Sequence, residues 1–520
     1  VDVTSPEPAT SQPARVQRAV LIVAILGSSM AFIDGTVVNV ALPAIQRDLQ
    51  ATAFQAQWVV ESYALFLAAL LLAGGALGDR LGRRRVFAIG VAIFALASVA
   101  CGLAGSIQQL ITARAVQGVG AALLVPGSLA LISATFGEHE RGQAIGTWSG
   151  FSGITAAIGP VLGGYLVDHW SWHWAFLLNV PLAAAVLWLV WRHVPESRDP
   201  SARGAPLDGW GAVWATAALG GIVYAFVEAP TQGWRAAPVL GSLLGGLVAC
   251  AAFVFTEARV KAPMMPLHLF RNRNFTGANL VTLLLYSALG GSLYFFPLAL
   301  IQVQGYSATA AGAALLPFVL ILFAFSRPAG RLVDRFGPRG PLVVGPLVAA
   351  AAFVLFALPG VGGAYWRTYL PAVVLLGIGM TITIAPLTTT VMNAVDVEHS
   401  GTASGVNNAV SRVAGVLAIA VLGLLMAWAF GRHLRDALDA LTLPVTLKDA
   451  VLSQESRLAG AAIPAGLDAA LAERLHRAIG EAYIAGFRWV MGAAAALAVL
   501  GAACAWVWID GTRPSSQRRP

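Results

Sequence analysis

Charged side chains are scarce in this 520-residue sequence: Asp, Glu, Lys and Arg make up 11% of it, against 58% hydrophobic residues. Soluble domains carry roughly a quarter charged residues, so a water-soluble globular protein is excluded. Lysine is nearly absent, with Lys261 and Lys448 alone, and neither follows glycine. A phosphate loop of the Walker type needs a Gly-Lys pair, so ATP hydrolysis by this chain is excluded as an energy source. The three cysteines, Cys101, Cys250 and Cys504, stand far apart in apolar segments and make neither a disulfide framework nor a zinc spacing. His169 and His173 are four apart without a third ligand, and no H-E-x-x-H or G-x-S-x-G motif occurs. Neither a metal, a cofactor nor an enzyme's reacting cluster is expected.

What is there instead is a series of long uncharged runs. No Asp, Glu, Lys or Arg occurs in 86–113, 115–137, 142–167, 169–191, 209–227, 236–256, 340–366, 368–395, 413–431 or 489–509. The run 274–326 is long enough for two crossings, since a bilayer-spanning helix needs about 20 mainly apolar residues. Two further segments, near 19–42 and 54–78, hold one acid each. The count is fourteen spans, and the fold class is an all-α polytopic membrane protein.

The net charge of +8 is distributed unevenly. With the N-terminus inside, cytoplasmic segments receive 21 of the 33 Lys and Arg, and the short outer loops receive only Arg47, Arg235 and Arg367. That bias puts both termini in the cytoplasm, and it makes the basic charge topological, with no nucleic-acid partner implied. The expected layout is a cytoplasmic tail 1–16, a six-span bundle 17–192, connectors and two inserted spans 193–274, a second six-span bundle 275–510, and a tail 511–520. The outer segment 432–482 is the one long extramembrane loop. Leu467, Leu471, Leu475 and Ile479 recur every four residues there, as in an amphipathic helix capping the outer mouth. A partner docking on it is the alternative.

Charges inside spans are costly and mark function. Asp34, Glu61 and Arg114, from three spans, share one level in the outer half of the membrane. Two acids facing one base leave one carboxyl free to titrate, as a proton switch requires, while a purely structural ion pair is the plainer alternative. Glu228, beside Tyr224 and Trp234, is expected at the interface or attracting cationic substrate. Arg412, beside Asn407 and Asn408, either snorkels to the cytoplasmic side or lines a central cavity.

The two sixes also repeat each other. GALGDRLGRR (75–84) and GRLVDRFGPR (330–339) match at Gly75/Gly330, Leu77/Leu332, Asp79/Asp334, Arg80/Arg335, Gly82/Gly337 and Arg84/Arg339. A repeat in the same orientation points to a transporter of two bundles about an axis normal to the membrane. In the first copy Asp79 is placed to pair with Arg83, or to latch onto a helix of the other half, and Gly75, Gly78 and Gly82 to admit close backbones. In span 5, Gly146, Gly159, Pro160, Gly163 and Gly164 give a helix of small residues with a proline in it, suited to tight packing.

At these residues the chain resembles the major facilitator superfamily, in its fourteen-span drug:proton antiporter branch. The loop motif G-x-L-x-D-R-x-G-R-R is met by Gly75, Leu77, Asp79, Arg80, Gly82, Arg83 and Arg84. The span-1 signature D-x-T-V-V-N-V-A-L-P runs from Asp34 to Pro43, and R-x-x-Q-G-x-G-A-A runs from Arg114 to Ala122. The antiporter motif is matched in span 5, with Thr155 where a smaller residue is usual; WHWAFLLNVP (172–181) also fits the branch. The resemblance implies two six-helix bundles rocking about a central cavity, two accessory spans, and a proton-coupling role for Asp34. The expected function is efflux of lipophilic, often cationic drugs or toxic compounds from a bacterial cell, driven by the proton gradient. A dedicated exporter of one endogenous metabolite, antibiotic or lipid is the alternative. Asp34→Asn is expected to abolish export with expression intact.

Overall fold

Hydrocarbon offers no water to an open amide, so each apolar run must satisfy its own backbone as a helix. The computed structural model describes residues 13–198, 207–396, 400–441, 443–464 and 466–511. Among them are fourteen helical stretches long and apolar enough to cross a membrane, and no strand. Most of the two tails, 1–12 and 512–520, lies outside the described residues.

The first bundle holds α1 (Ala14–Asp48), α2 (Ala53–Leu81), α3 (Arg83–Gly102), α4 (Ile107–Thr135), α5 (Glu138–His169) and a sixth span of α6 (His173–Leu177) with α7 (Asn179–His193). The inserted hairpin is α8 (Gly209–Gln232) and α9 (Ala237–Glu257). In the second bundle α10 (Arg273–Leu298) is followed by α11 (Ala308–Ala313) with α12 (Leu316–Gly330), the short α13 (Leu332–Phe336), α14 (Arg339–Ala357), α15 (Tyr365–Thr368) and α16 (Leu370–Asn393). Then come α17 (Ser400–Ala440), α18 (Val445–Leu452) and α19 (Ala469–Trp508). Local chemistry sets several starts. Thr52 and Gln55 form a reciprocal capping box on α2, and Ser106 accepts from Gln109 N at α4. Pro160 lies inside α5, which runs through it without a break.

The accessory hairpin leans on α2 and α17, one helix from each bundle. The bundles themselves meet along α5 with α11, α2 with α17, and α1 with α10. The face that carries 432–482, outer by the charge bias, is closed; α5 packs closely on α11 but much less on α12, so the bundles part toward the basic face.

Much of 432–482 is not loop. α17 continues to Ala440 and α19 starts at Ala469, so both last spans project past the membrane. Leu475 and Ile479 are buried against the bundle mouth, with Leu467 and Leu471 partly so. The intervening turns fold back, Arg435 pairing with Glu455 at 2.9 Å and Lys448 with Asp439. Arg488 caps the end of α14, donating from Nε to Ala357 O at 3.0 Å.

Candidate functional site

Asp34 on α1 and Arg114 on α4 are almost fully enclosed and form an ion pair. The rest of each group is taken. Asp34 Oδ1 accepts from Gln117 Nε2 at 2.8 Å and Asn179 Nδ2 at 3.1 Å. Arg114 donates to Val59 O at 3.0 Å and Gln117 Oε1 at 2.7 Å, and its guanidinium lies 4.2 Å from the Tyr63 ring centroid. Ser98 closes the ring by accepting from Gln117 at 2.8 Å. A buried charge survives only when paired and hydrogen-bonded, and this pair is both. Sequence had flagged the ion pair; Gln117 and Asn179 stood there only as motif letters, and Ser98 carried no signal.

Glu61 stands apart from that network. It is 0% exposed on α2, and neither carboxyl oxygen has a hydrogen-bond partner. Gln57, one turn earlier, lies close enough to Glu61 to interact with it, and donates to Ile419 O of the second bundle at 3.1 Å. Tyr294 on α10 lies close enough to feel the Glu61 charge. Thus the two acids that share a level in sequence are unlike in surroundings: Asp34 is saturated inside one bundle, and Glu61 is unpartnered at the seam between two.

Arg412 on α17 faces that seam as well. It is part-buried, its Nε has no partner, and its charge reaches Tyr63 across the bundles. Glu228 is half-buried. It accepts from Trp58 Nε1 at 3.0 Å and from Gln232 Nε2 at 3.0 Å, which ties α8 to α2.

At the basic face, Asp79 pairs with Arg83 one helical turn on, with Arg83 Nε to Asp79 Oδ1 at 2.8 Å. Gly82 ends α2 with φ +122°, a region an L side chain rarely adopts. Beyond it, Arg83 N donates to Ser197 O and Arg84 N to Glu196 Oε1, so the turn is fastened to the connector after the sixth span. Arg80 is exposed. The close backbone approach falls one residue earlier than expected: a Cβ on Gly74 would sit 2.1 Å from Ala122 O, while Gly75 has 3.6 Å and Gly78 has room. In the second copy Asp334 lies within α13, its side chain outside the described part, and Arg335 rests over Phe336.

The small residues of α5 divide by height. A Cβ on Gly159 would come 2.1 Å from Thr36 Oγ1, on Gly163 2.7 Å from Val37, and on Gly164 2.3 Å from Ala308 O. From the other side, Gly312 is pressed onto Pro160 O. Gly146 touches nothing, because it lies where the bundles have parted. Thr155 bonds back to Phe151 O and Ser152 O within its own helix and does not disturb this packing.

Three outer contacts, none foreseen from sequence, complete the closure. Asp168 at the end of α5 accepts from Ala308 N at 3.0 Å, Thr309 N at 2.8 Å and Thr309 Oγ1 at 2.6 Å in the second bundle. Gln302 donates to Gln46 at 2.8 Å. Leu458, from the outer segment, is buried in a small cleft lined by Leu42, Phe54 and Gln57 of one bundle and Tyr294, Leu298 and Tyr483 of the other. Its φ of +53° is unusual for leucine. The outer segment therefore wedges the seam.

Comparison with known proteins agrees with this architecture. The family model for the Major Facilitator Superfamily matches residues 24–419. The multidrug resistance protein Stp of Mycobacterium tuberculosis is 38% identical over 416 residues, covering 80% of this chain and 77% of that protein. The tetracenomycin C resistance and export protein of Streptomyces glaucescens is 36% identical over 510 residues, 96% of this chain and 92% of its own. Among solved structures, a bacterial homologue of the human lysosomal transporter Spinster superposes with a TM-score of 0.66 at 20% identity, over 95% of this chain and 97% of that one. Fourteen apolar helices, twelve of them in two bundles, the family match over most of the chain and relatives above 35% identity make this protein a member of the major facilitator superfamily.

Proposed function

We propose that the chain is a proton-coupled exporter of organic compounds, acting by alternating access in the bacterial cell membrane with both termini inside. The observation that carries the coupling is Glu61: a carboxyl group enclosed at the seam with neither oxygen partnered. An ionised carboxylate is costly there unless a proton or a cation joins it. Proton and cationic substrate then compete for one group, and that exclusion couples them. Asp34 and Arg114 set the level and hold α1 against α4, a change from the leading role that sequence gave Asp34.

The direction is supported by relatives named for drug resistance and for export. With the outer face closed, the state at hand would receive compounds from the cytoplasmic side. One proton against one monovalent cation moves no net charge; each further proton adds about 2.3 kcal/mol per 100 mV.

A second function has one specific observation in its favour. The Streptomyces glaucescens relative, which matches over 96% of this chain, is named for a single compound, tetracenomycin C, as a dedicated exporter would be. Purified protein in liposomes under an imposed pH gradient separates the two. Proton release, followed by a pH-sensitive dye as lipophilic cations and neutral antibiotics are added, should occur with several panel members for a multidrug exporter. Response to one chemical class favours the dedicated exporter, and no response to any member contradicts proton coupling.

A further inference from the structure

The accessory hairpin brings two acids together at its basic end. Asp208 immediately precedes α8 and Glu257 is the last residue of α9, and they are 8% and 3% exposed. Each spends one oxygen on the backbone. Asp208 Oδ1 accepts from Gly211 N at 2.8 Å, capping α8, and Glu257 Oε2 accepts from Met265 N at 2.9 Å, fixing the start of the next connector. The remaining oxygens, Asp208 Oδ2 and Glu257 Oε1, are both buried and unpartnered, and the two side chains lie within hydrogen-bonding reach of each other.

Two ionised carboxylates in that position would repel with no donor between them, whereas one proton shared as O–H···O⁻ satisfies both open oxygens at once. Among the described residues, no other charge is seen to pair with the two acids. Leu70, Leu77, Val119, Leu123 and Met264 form the apolar wall beside Asp208. Of the charged groups on the neighbouring elements, Asp79 on α2 is held by Arg83, Arg80 and Lys261 are exposed, and Arg259 lies over the Phe255 ring at 3.8 Å. On α17, Arg412 is turned to Tyr63. A metal would need more ligands than two oxygens, and no group of three or more candidate ligands occurs among the described residues.

We propose that Asp208 and Glu257 bind one proton between them and form a proton-dependent clasp, remote from the Glu61 seam. Asp208 ends the connector from the first bundle and Glu257 opens the connector to the second, so the clasp ties together the two segments through which the bundles are joined. At lower pH the proton is held and the clasp is shut. As pH rises the proton leaves, the O–H···O⁻ tie between the two acids is lost, and the facing charges repel and part the two ends of the hairpin.

The test is amide hydrogen exchange of the purified full chain in lipid nanodiscs across a pH series, corrected for intrinsic exchange, read on peptides covering 207–213 and 257–266. Protection there should fall by about tenfold from low to high pH, as loss of a charge-assisted hydrogen bond implies. Glu257→Gln, whose amide can donate to Asp208, should be protected at every pH. Asp208→Asn provides the same check from the other side should the first variant fold poorly. Exchange independent of pH in the natural chain would overturn the proposal, as would pH dependence unchanged in both variants. So would protection at high pH that a chelator removes, since a metal and not a proton would then join the acids.

Discussion

Asp168 and Thr309 are joined across the seam between the bundles by two hydrogen bonds, from Thr309 N at 2.8 Å and Oγ1 at 2.6 Å, both to Asp168 Oδ2. An acid at the end of one bundle thus caps the first turn of a helix in the other. The same kind of latch was one of two expectations for Asp79 at the opposite face; in this state Asp79 meets the other, pairing with Arg83 within its own turn.

Removing that cap should favour the state open at the outer face. Losing a cap costs about 1 kcal/mol, roughly a fivefold change in the ratio of two states. Asp168→Ala should shift it in that direction, and Asp168→Asn, which keeps one acceptor, by less. Spin labels at Gln108 and Trp366, exposed at the outer ends of the two bundles, would report the added population at long distance. An unchanged distance distribution would mean that the latch does not hold the closure.

Leu458 gives a second, graded test. Leu458→Ala leaves the left-handed backbone in place and removes apolar contacts made only when the outer face is closed, at a cost of about 2 kcal/mol or more. Leu458→Gly removes the same contacts but relieves the penalty of a sparsely populated positive-φ backbone, about 1–3 kcal/mol. The alanine variant should therefore open the outer face further than the glycine variant, by the same spin-label distances. Equal effects would mean that the backbone at Leu458 carries no cost.

The buried ion pair yields a prediction that reverses an expectation from sequence. Asp34→Asn leaves Arg114 charged and enclosed without its counter-charge, which costs about 3–5 kcal/mol. Its folded yield and melting temperature should fall, where sequence suggested intact expression. Adding Arg114→Gln, which removes the stranded charge, should restore the yield. A single Asp34→Asn variant as stable as the natural chain would contradict the structural role given to the pair.

How far such residues are legible in sequence depends on the range of the interaction. The spans were readable because exclusion of charge from hydrocarbon acts on every residue, and the Gly-Asp-Arg repeat because it recurs in register. The site was readable as a level, with Asp34, Glu61 and Arg114 at similar depth. Which acid Arg114 takes was not, because it depends on how α1, α2 and α4 are rotated about their axes. Asp168 interrupted two uncharged runs, but the backbone amides that donate to it, of Ala308 and Thr309, lie about 140 residues away in the second bundle. The length of α17 and α19 beyond the membrane was hidden by polar composition: Arg432, Arg435, Asp436 and Asp439 look like loop, while a helix already started needs only its own backbone to continue.

The most direct measurement for the central claim concerns Glu61. In liposomes, substrate-triggered proton flux and substrate exchange without a gradient can be followed on the same protein. Glu61→Gln replaces an enclosed acid by a neutral amide, so its stability should match that of the natural chain. Its proton flux should fall by about tenfold or more, the ratio that ~1.4 kcal/mol of lost coupling represents, while exchange of neutral substrates persists. Proton flux at the natural level in Glu61→Gln would contradict the account and return the coupling to Asp34 and Arg114.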